Sequence, residues 1–332
     1  MLIIDPIIFR LQKIGGISVY WNNILKYFKD NVDMNMLSRP KLEKYNNKYY
    51  NKVLQMIPIN NKFSKNDIFQ STYYTYSNNK YVSNVITVHD FIDERYNYGI
   101  KKSLNIYIKY NAIKNSEFVV CISKNTEKDL RKYMPGYKGE VRVVYNGVAD
   151  EYCNIKNSTR KDYILFVGSR AKYKRFDLAV ETIRKLKNID LYIVGGGELK
   201  KSEKVYLENE IPKRYKKYDY INNQTLNKLY NEAFCLLYPS EYEGFGIPII
   251  EAMKAGCPVI AQNKSSIPEI SNGAAILINN SSSDEIISDL SILKYDRYRN
   301  DIIHKGMDQA NKFSWKSTAE NYLNIYKEIL SK

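Results

Sequence analysis

Two glutamates eight residues apart, Glu243 and Glu251, frame a glycine-broken segment whose acceptor carboxylates could hold a ligand rich in hydroxyl donors. A continuous helix would offset them by roughly 80° around its axis, but Gly244 and Gly246 interrupt it. Glu243 is therefore expected in a loop, at the mouth of a helix that Pro248 opens and that ends at Gly256 and Pro258. Glu251 falls inside that helix. The run Cys235 to Tyr238 ahead of them is short, apolar and stopped by Pro239, which suits a buried parallel strand. A helix N-terminus beside the carboxyl end of a strand offers free N–H groups and a partial positive charge, which suits a phosphate-bearing ligand. One carboxylate can then hold sugar hydroxyls and the other a ribose.

The elements that must position such groups can be followed along the chain. Leu2 to Asp5 reads as a first strand, and Gly15-Gly16 opens a helix with apolar positions at Ile17, Tyr20, Ile24, Leu25 and Phe28. Strand, glycine pair and helix form either a phosphate-approaching turn or simply a tight turn. Val85 to Val88 is a β-branched strand, so His89 and Asp90 fall at its carboxyl end, where α/β folds bind ligands. Phe118 to Ile122 is another strand, with Ser123 as the cap of a helix through Lys132. Asn146-Gly147 is a turn that closes a first domain. Beyond it, Tyr163 to Val167 leads into the basic run at Arg170, Lys174 and Arg175, and Leu191 to Val194 leads into Gly195-Gly196-Gly197. Lys200 to Lys217 is charged and expected at the surface. Ala275 to Ile278 reads as a strand, a helix starts near Ser283, and a last helix runs from Phe313-Ser314-Trp315 to Leu330.

Composition bounds the function. The chain has 332 residues, enough for two domains of about 150 each. Its 51 Lys and Arg against 36 Asp and Glu leave a net charge of +15, which favours anionic partners. No compact basic cluster or nucleic-acid motif stands out, so nucleic acid is not expected. A basic surface also fits work beside anionic lipid, although a biased Lys, Asn, Ile and Tyr usage, with 31 tyrosines, inflates the same count. No stretch approaches the roughly 20 apolar residues of a membrane span. The start MLIIDPIIFRLQK, with Asp5 and Pro6 inside it, reads as a strand and not a signal peptide. The four cysteines are far apart, as reduced core residues of a cytosolic protein would be. Neither of the two histidines has a partner at metal-ligand spacing, and Asp-x-Asp is absent, so no metal is expected.

The string SEYEGFGIPIIEAMKAGCPVI, followed by SSIPEI, resembles the donor-site signature of retaining glycosyltransferases of family four, with Glu243, Gly244, Phe245, Gly246, Pro248, Glu251, Gly256 and Pro258 in register. TVHD at 87–90, VVCISKNTEKDL, VVYNGV and TLNKLYNEA resemble the same family, and the likeness covers nearly the whole chain, strongest from 163 to 278. The resemblance implies an α/β fold of the GT-B type: two Rossmann-like domains facing across a cleft, with a C-terminal helix crossing back to the first. The domains would be 1–150, 151–312 and the helix 313–332. It implies transfer of a sugar, with retention, from a nucleoside-diphosphate sugar to a hydroxyl of a glycan or polyprenyl-diphosphate-linked glycan, as in O-antigen or capsule synthesis. No cofactor is implied beyond the donor itself.

Carried over residue by residue, His89 and Glu243 become sugar-side catalytic groups, and Arg170 and Lys174 stabilise the departing diphosphate. Gly15, Gly16, Gly195, Gly196, Phe245, Gly246, Ile247 and Glu251 become donor-binding positions. One departure stands out: Ser169 occupies the place where related enzymes carry an arginine directly after the glycine, and Arg170 follows it, with Arg175 as a substitute. The implied location is the cytoplasm, with peripheral contact to the inner face of the membrane. Two competitors remain, a glycoside phosphorylase on the same fold and a basic, non-enzymatic binding protein.

Overall fold

The structure, a computed structural model, describes residues 1–12, 15–37, 55–59, 63–96 and 99–332. The stretch from Lys41 to Asp67, rich in Lys, Asn and Tyr with little periodicity and read from sequence as solvated loops and helix faces before an acceptor or membrane surface, lies largely outside those residues. The chain divides into two compact units, Met1–Gly147 with Trp315–Lys332, and Val148–Ser314.

The first unit is built on β1 (Leu2–Asp5), α1 (Gly16–Asn31), β2 (Met34–Met36), β3 (Asp67–Ser71), β4 (Val82–Val88), α2 (Ile100–Lys114), β5 (Phe118–Cys121), α3 (Lys124–Tyr133) and β6 (Glu140–Val143). Its strands form one parallel sheet in the order β2-β1-β3-β4-β5-β6. β1, β3 and β5 are buried at every position, as strands covered on both faces by helices must be. The order reverses between β1 and β3, the place where such sheets open a crevice at their carboxyl ends.

The second unit continues with β7 (Tyr163–Val167), α4 (Phe176–Lys185), β8 (Asp190–Val194), α5 (Lys201–Glu210), β9 (Tyr215–Tyr218), α6 (Asn223–Glu232), β10 (Cys235–Tyr238), α7 (Ile247–Lys254), β11 (Val259–Gln262), β12 (Ile276–Ile278), α8 (Ser283–Ile292) and α9 (Asp296–Ala310). Its sheet is parallel throughout in the order β12-β11-β10-β7-β8-β9. Counted within the unit this is 3-2-1-4-5-6, the doubly wound order whose switch point lies between β7 and β10. Ile164, Leu237, Ile260, Leu178 and Ile183 lie in the core that joins this sheet to its helices.

Several elements differ from the sequence reading. β4 begins at Val82, three residues before Val85, because the polar Ser83 and Asn84 hide its start. Lys200 to Lys217 is not surface alone: it holds α5 and the edge strand β9. The strand YKKY pairs with β8 at the sheet edge, where Lys216 reaches solvent and Lys217 is mostly covered and pairs with Asp219, while Leu207 and Ile211 anchor the segment in the core. α2 and α9 carry mixed polar faces and gave no clear sequence signal. Ser123 does cap α3, its side chain accepting from the Thr126 N–H. Among the described residues no helix is long and apolar enough to cross a membrane.

The last helix, α10 (Trp315–Leu330), belongs to the first unit and packs on α1. Its contacts there are polar hydroxyls inside an aromatic layer. Tyr322 Oη lies 2.7 Å from Tyr20 Oη and 2.6 Å from Thr87 Oγ1, Tyr326 Oη donates to Gln70 Oε1 at 2.8 Å, and Thr318 Oγ1 donates to the Tyr145 carbonyl. The Trp21, Phe28 and Tyr326 rings surround Tyr322 at 5.8–6.4 Å between centroids. Tyr322→Phe keeps the ring and strands two buried hydroxyls, so urea denaturation should show a loss of roughly 1–3 kcal/mol. An unchanged midpoint would show that these hydroxyls do not hold the helix.

Candidate functional site

In the second unit the loops after β7 and β10 meet at the carboxyl edge of the sheet, on either side of its switch point. The loop after β7 runs through a 3₁₀ turn at Lys172–Lys174 into Arg175, which is left-handed at φ 52° and leads α4. The loop after β10 carries Glu241 and Glu243 and ends in Gly246, left-handed at φ 101°, before α7 with Pro248 in its first turn. A backbone bond from the Glu241 N–H to the Tyr173 carbonyl, 2.8 Å, ties the two loops.

Lys174 and Glu243 face one another across this junction. Lys174 Nζ lies 2.5 Å from Glu243 Oε1 and 3.3 Å from Tyr238 Oη, and the side chains are only 13% and 10% exposed. The ammonium also stands over the Tyr173 and Tyr238 rings, 5.6 and 5.3 Å from their centroids. Behind Glu243, its N–H donates to Ser265 Oγ, and Ser266 Oγ donates to the carbonyls of Glu243 and Phe245, each at 2.9 Å. The Phe245 ring packs edge-on to Phe313 at 5.7 Å.

Arg170 has a different surrounding from Lys174. Its guanidinium donates to the carbonyls of Gly195, Gly196, Gly197 and Glu198 at 2.9–3.3 Å, and Nε lies 3.1 Å from Glu203 Oε2. Gly195, Gly196 and Gly197 all take positive φ, 81°, 74° and 71°, which turns their carbonyls onto the arginine. A Cβ on Gly196 would come within 2.7 Å of Arg170 Nη1. The Arg170 fork, expected at a departing diphosphate, here donates to the glycine turn. Arg175 is paired as well, with Asp177 and Glu241.

Glu251 sits one and a half turns into α7, partly buried, and accepts from Tyr230 Oη at 3.1 Å. Burial raises its carboxyl from the ordinary 4.5 to about 7, against the hydrogen bonds of Tyr230 and Tyr152, which lower it.

In the first unit, α1 links the other two sequence-derived features. Gly15 and Gly16 lead it, and the space a Cβ would need at Gly15 is filled by the Gln12 side chain. One turn further, the Tyr20 ring meets His89 edge-on at 5.0 Å. His89 is buried, with Nε2 lacking a hydrogen-bond partner, and burial with the nearby Lys109 cation lowers its pKa to about 3. The imidazole is thus neutral at physiological pH. Lys109 itself is buried, donating to the Asp90 carbonyl and Glu94 Oε2 at 2.9 Å each. Among the described residues no three His, Cys, Asp or Glu side chains gather as metal ligands would.

Residues 150–309 match the family described as Glycosyl transferases group 1. The chain carries a group 1 glycosyltransferase domain. With two doubly wound units, it has the GT-B fold. O-antigen chain mannosyltransferase B of Escherichia coli is 38% identical over 109 residues, 32% of this chain and 29% of that protein. An uncharacterized glycosyltransferase of Methanocaldococcus jannaschii, MJ1178, is 24% identical over 350 residues and 95% of both chains. The crystal structure of Anabaena Alr3699/HepE in complex with UDP-glucose superposes with a TM-score of 0.74 over 98% of this chain and 99% of that one, at 14% identity.

Within this glycosyltransferase domain, sequence reasoning marked Lys174 and Glu243 but not the groups that hold them. Tyr238 closes β10, and Ser265 and Ser266 lie in the quoted SSIPEI string without an assigned role. The tyrosines on Glu251 come from α6 and from the segment before β7, so only the fold unites them. Because folded Glu251 keeps its proton to a higher pH than the unfolded chain does, its contribution to stability is full below about 4.5 and is lost as pH rises through about 7. Glu251→Gln is neutral at every pH, so its melting temperature should rise relative to wild type across that window and level off above it. A difference constant with pH would remove Glu251 as the titrating group.

Proposed function

We propose that the protein moves a sugar from a nucleoside diphosphate to a hydroxyl of a glycan or lipid-linked glycan, with retention of the anomeric configuration, in the synthesis of a surface polysaccharide. The observation that carries this reading is the Lys174–Glu243 pair at the switch point of a group 1 glycosyltransferase domain. The O-antigen mannosyltransferase among its relatives supports the polysaccharide setting, and the UDP-glucose complex of its structural neighbour supports a nucleotide-sugar donor.

In the proposed reaction the bond between the anomeric carbon and the diphosphate oxygen breaks, and the acceptor oxygen bonds to the same face. The acceptor proton passes to a phosphate oxygen of the leaving group. Lys174 exchanges Glu243 for the departing diphosphate and offsets the charge that grows on it. Glu243, released, accepts from sugar hydroxyls. Glu251 in its ionised form accepts from the ribose, and Gly246 and Ile247 offer N–H groups at the start of α7. Gly195 and Gly196 frame the nucleotide side, held by Arg170. His89, neutral and with Nε2 unpartnered, and the Gly15-Gly16 turn are the first unit's contribution to substrate binding. We place the enzyme in the cytoplasm, where nucleotide sugars are made, with its basic surface in peripheral contact with anionic lipid.

Incubation with a panel of nucleotide sugars should release nucleoside diphosphate from one of them, read by mass spectrometry. Cleavage that requires free phosphate would favour a phosphorylase, and turnover of no donor would favour a binding protein. Calorimetry on folded Lys174→Ala and Glu251→Ala should show donor affinity reduced at least about tenfold, since each removes a charged contact; unchanged affinity sinks those roles. Wild-type donor affinity should rise as pH passes upward through about 7, where Glu251 ionises, and show no step of a histidine near its ordinary value. Glu251→Gln should flatten that rise.

A further inference from the structure

At the opposite edge of the second unit's sheet, the amino ends of β7, β10 and β11 border an open cavity of about 570 Å³. Arg160 enters it from the segment before β7, Arg299 from α9, and Gly256 from the end of α7. Four-residue strands put this edge roughly 13 Å from the Lys174–Glu243 edge. Both guanidinium groups stand over the Phe234 ring, 5.4 and 5.3 Å from its centroid. Arg299 is 8% exposed and donates to the Phe234 carbonyl at 2.7 Å and, at 3.4 Å, to that of Ala233. Neither arginine pairs with a carboxylate among the described residues, and Lys156 adds a third positive charge to the lining. Burial above all, and the Arg160 charge, lower the Arg299 pKa, while Cys257, Cys235 and Asp296 pull it back only in part.

A ring face compensates a cation only in part, and a buried charge without a counter-ion is costly. The missing partner is an anion. Planar guanidinium forks suit an oxyanion that can accept two bonds from each. The remaining lining holds no acid: Asn154, Asn157, Ser158 and Asn231 are polar and neutral, Ile155 and Ile303 apolar, and the Asn231 amide is already bound to Ile155, Cys153 and Asn227. We propose that this cavity is a binding site for a phosphoryl group, either inorganic phosphate or the phosphate of a phosphosugar, separate from the donor site. α7 joins the two, since Gly246 precedes it beside Glu243 and Gly256, two residues past its last residue Lys254, lines this cavity.

Arg299 also fastens the Ala233 and Phe234 carbonyls, so replacing it risks the fold. Arg160 is exposed and makes no such bond, which makes Arg160→Gln the informative variant, with Lys156→Gln as a second. Inorganic phosphate and glucose 6-phosphate, titrated at constant ionic strength against chloride, should raise the melting temperature saturably. Arg160→Gln should weaken this by about tenfold, the loss of one charged hydrogen-bonding group, and Lys156→Gln should weaken it less. Donor affinity of Arg160→Gln by calorimetry should stay at the wild-type value, which separates this site from the proposed donor chemistry. A crystal soaked in selenate should show its anomalous peak between Arg160 and Arg299. Tighter binding of glucose 6-phosphate than of phosphate would identify a phosphosugar, whereas equal binding would identify the phosphate group alone. A thermal response unchanged by Arg160→Gln, or no peak in the cavity at saturating selenate, overturns the proposal.

Discussion

The second unit depends on one close charge pair, Lys174 with Glu243, held where the doubly wound sheet reverses its order. At 13% and 10% exposure neither group is well solvated, so each needs the other, and removing one partner of such a pair commonly costs about 3–5 kcal/mol. The pair therefore fixes the two loops on which it rides, and the Glu241–Tyr173 backbone bond and the two serines behind Glu243 complete the clamp. An interaction so costly to break unaided is also selective about what may break it. Only a ligand that brings its own anion for Lys174 and its own donors for Glu243 leaves neither charge bare.

The scaffold explains why that pair can exist at all. β7 and β10 are neighbours whose connections run on to opposite sides of the sheet, which opens a crevice at their carboxyl ends even though the Glu241–Tyr173 bond ties the loops there. Side chains that project into the gap meet little backbone, so the space is filled by long polar groups and rings: Lys174, Glu243, Tyr173 and Tyr238. The glycine turn after β8 closes one flank. Its three left-handed residues would strain any other side chain, and Arg170 satisfies the carbonyls that they turn inward. A cation that looks available in sequence is thus consumed by the local backbone, while Lys174, five residues after Ser169, remains paired only through side chains.

Local patterns carried much of this into the sequence. The apolar runs of β7, β8, β10 and β11 are short and punctuated by glycine or proline, and Gly246 with Pro248 marks the start of α7 as clearly as any cap. Glu243 in a loop and Glu251 in a helix were both legible from the same punctuation. What escaped is set by contacts distant in sequence. The pairing of Lys174 with Glu243 spans 69 residues, and the tyrosine pair on Glu251 draws on two separate elements. The task of Arg170 depended on carbonyl directions that only the turn geometry defines. β9 was hidden because an edge strand exposes its alternate residues, so YKKY looks like solvent-facing chain.

The same dependence on surroundings separates the two glutamates that share one motif. Glu243 has a cation 2.5 Å away, whereas Glu251 has tyrosine hydroxyls and, among the described residues, no cation paired with it. Hydroxyl donors stabilise a carboxylate less than a full charge does, so burial wins at Glu251 and its pKa rises to about 7. Surroundings this different suit the two carboxylates to different work. A carboxylate paired with its own lysine is ready to accept bonds from a ligand once that lysine is drawn away. One poised near neutrality gains from every additional hydroxyl donor, because each new bond favours the ionised form. Two hydroxyls on adjacent carbons, as a ribose offers, would supply what the two tyrosines leave incomplete.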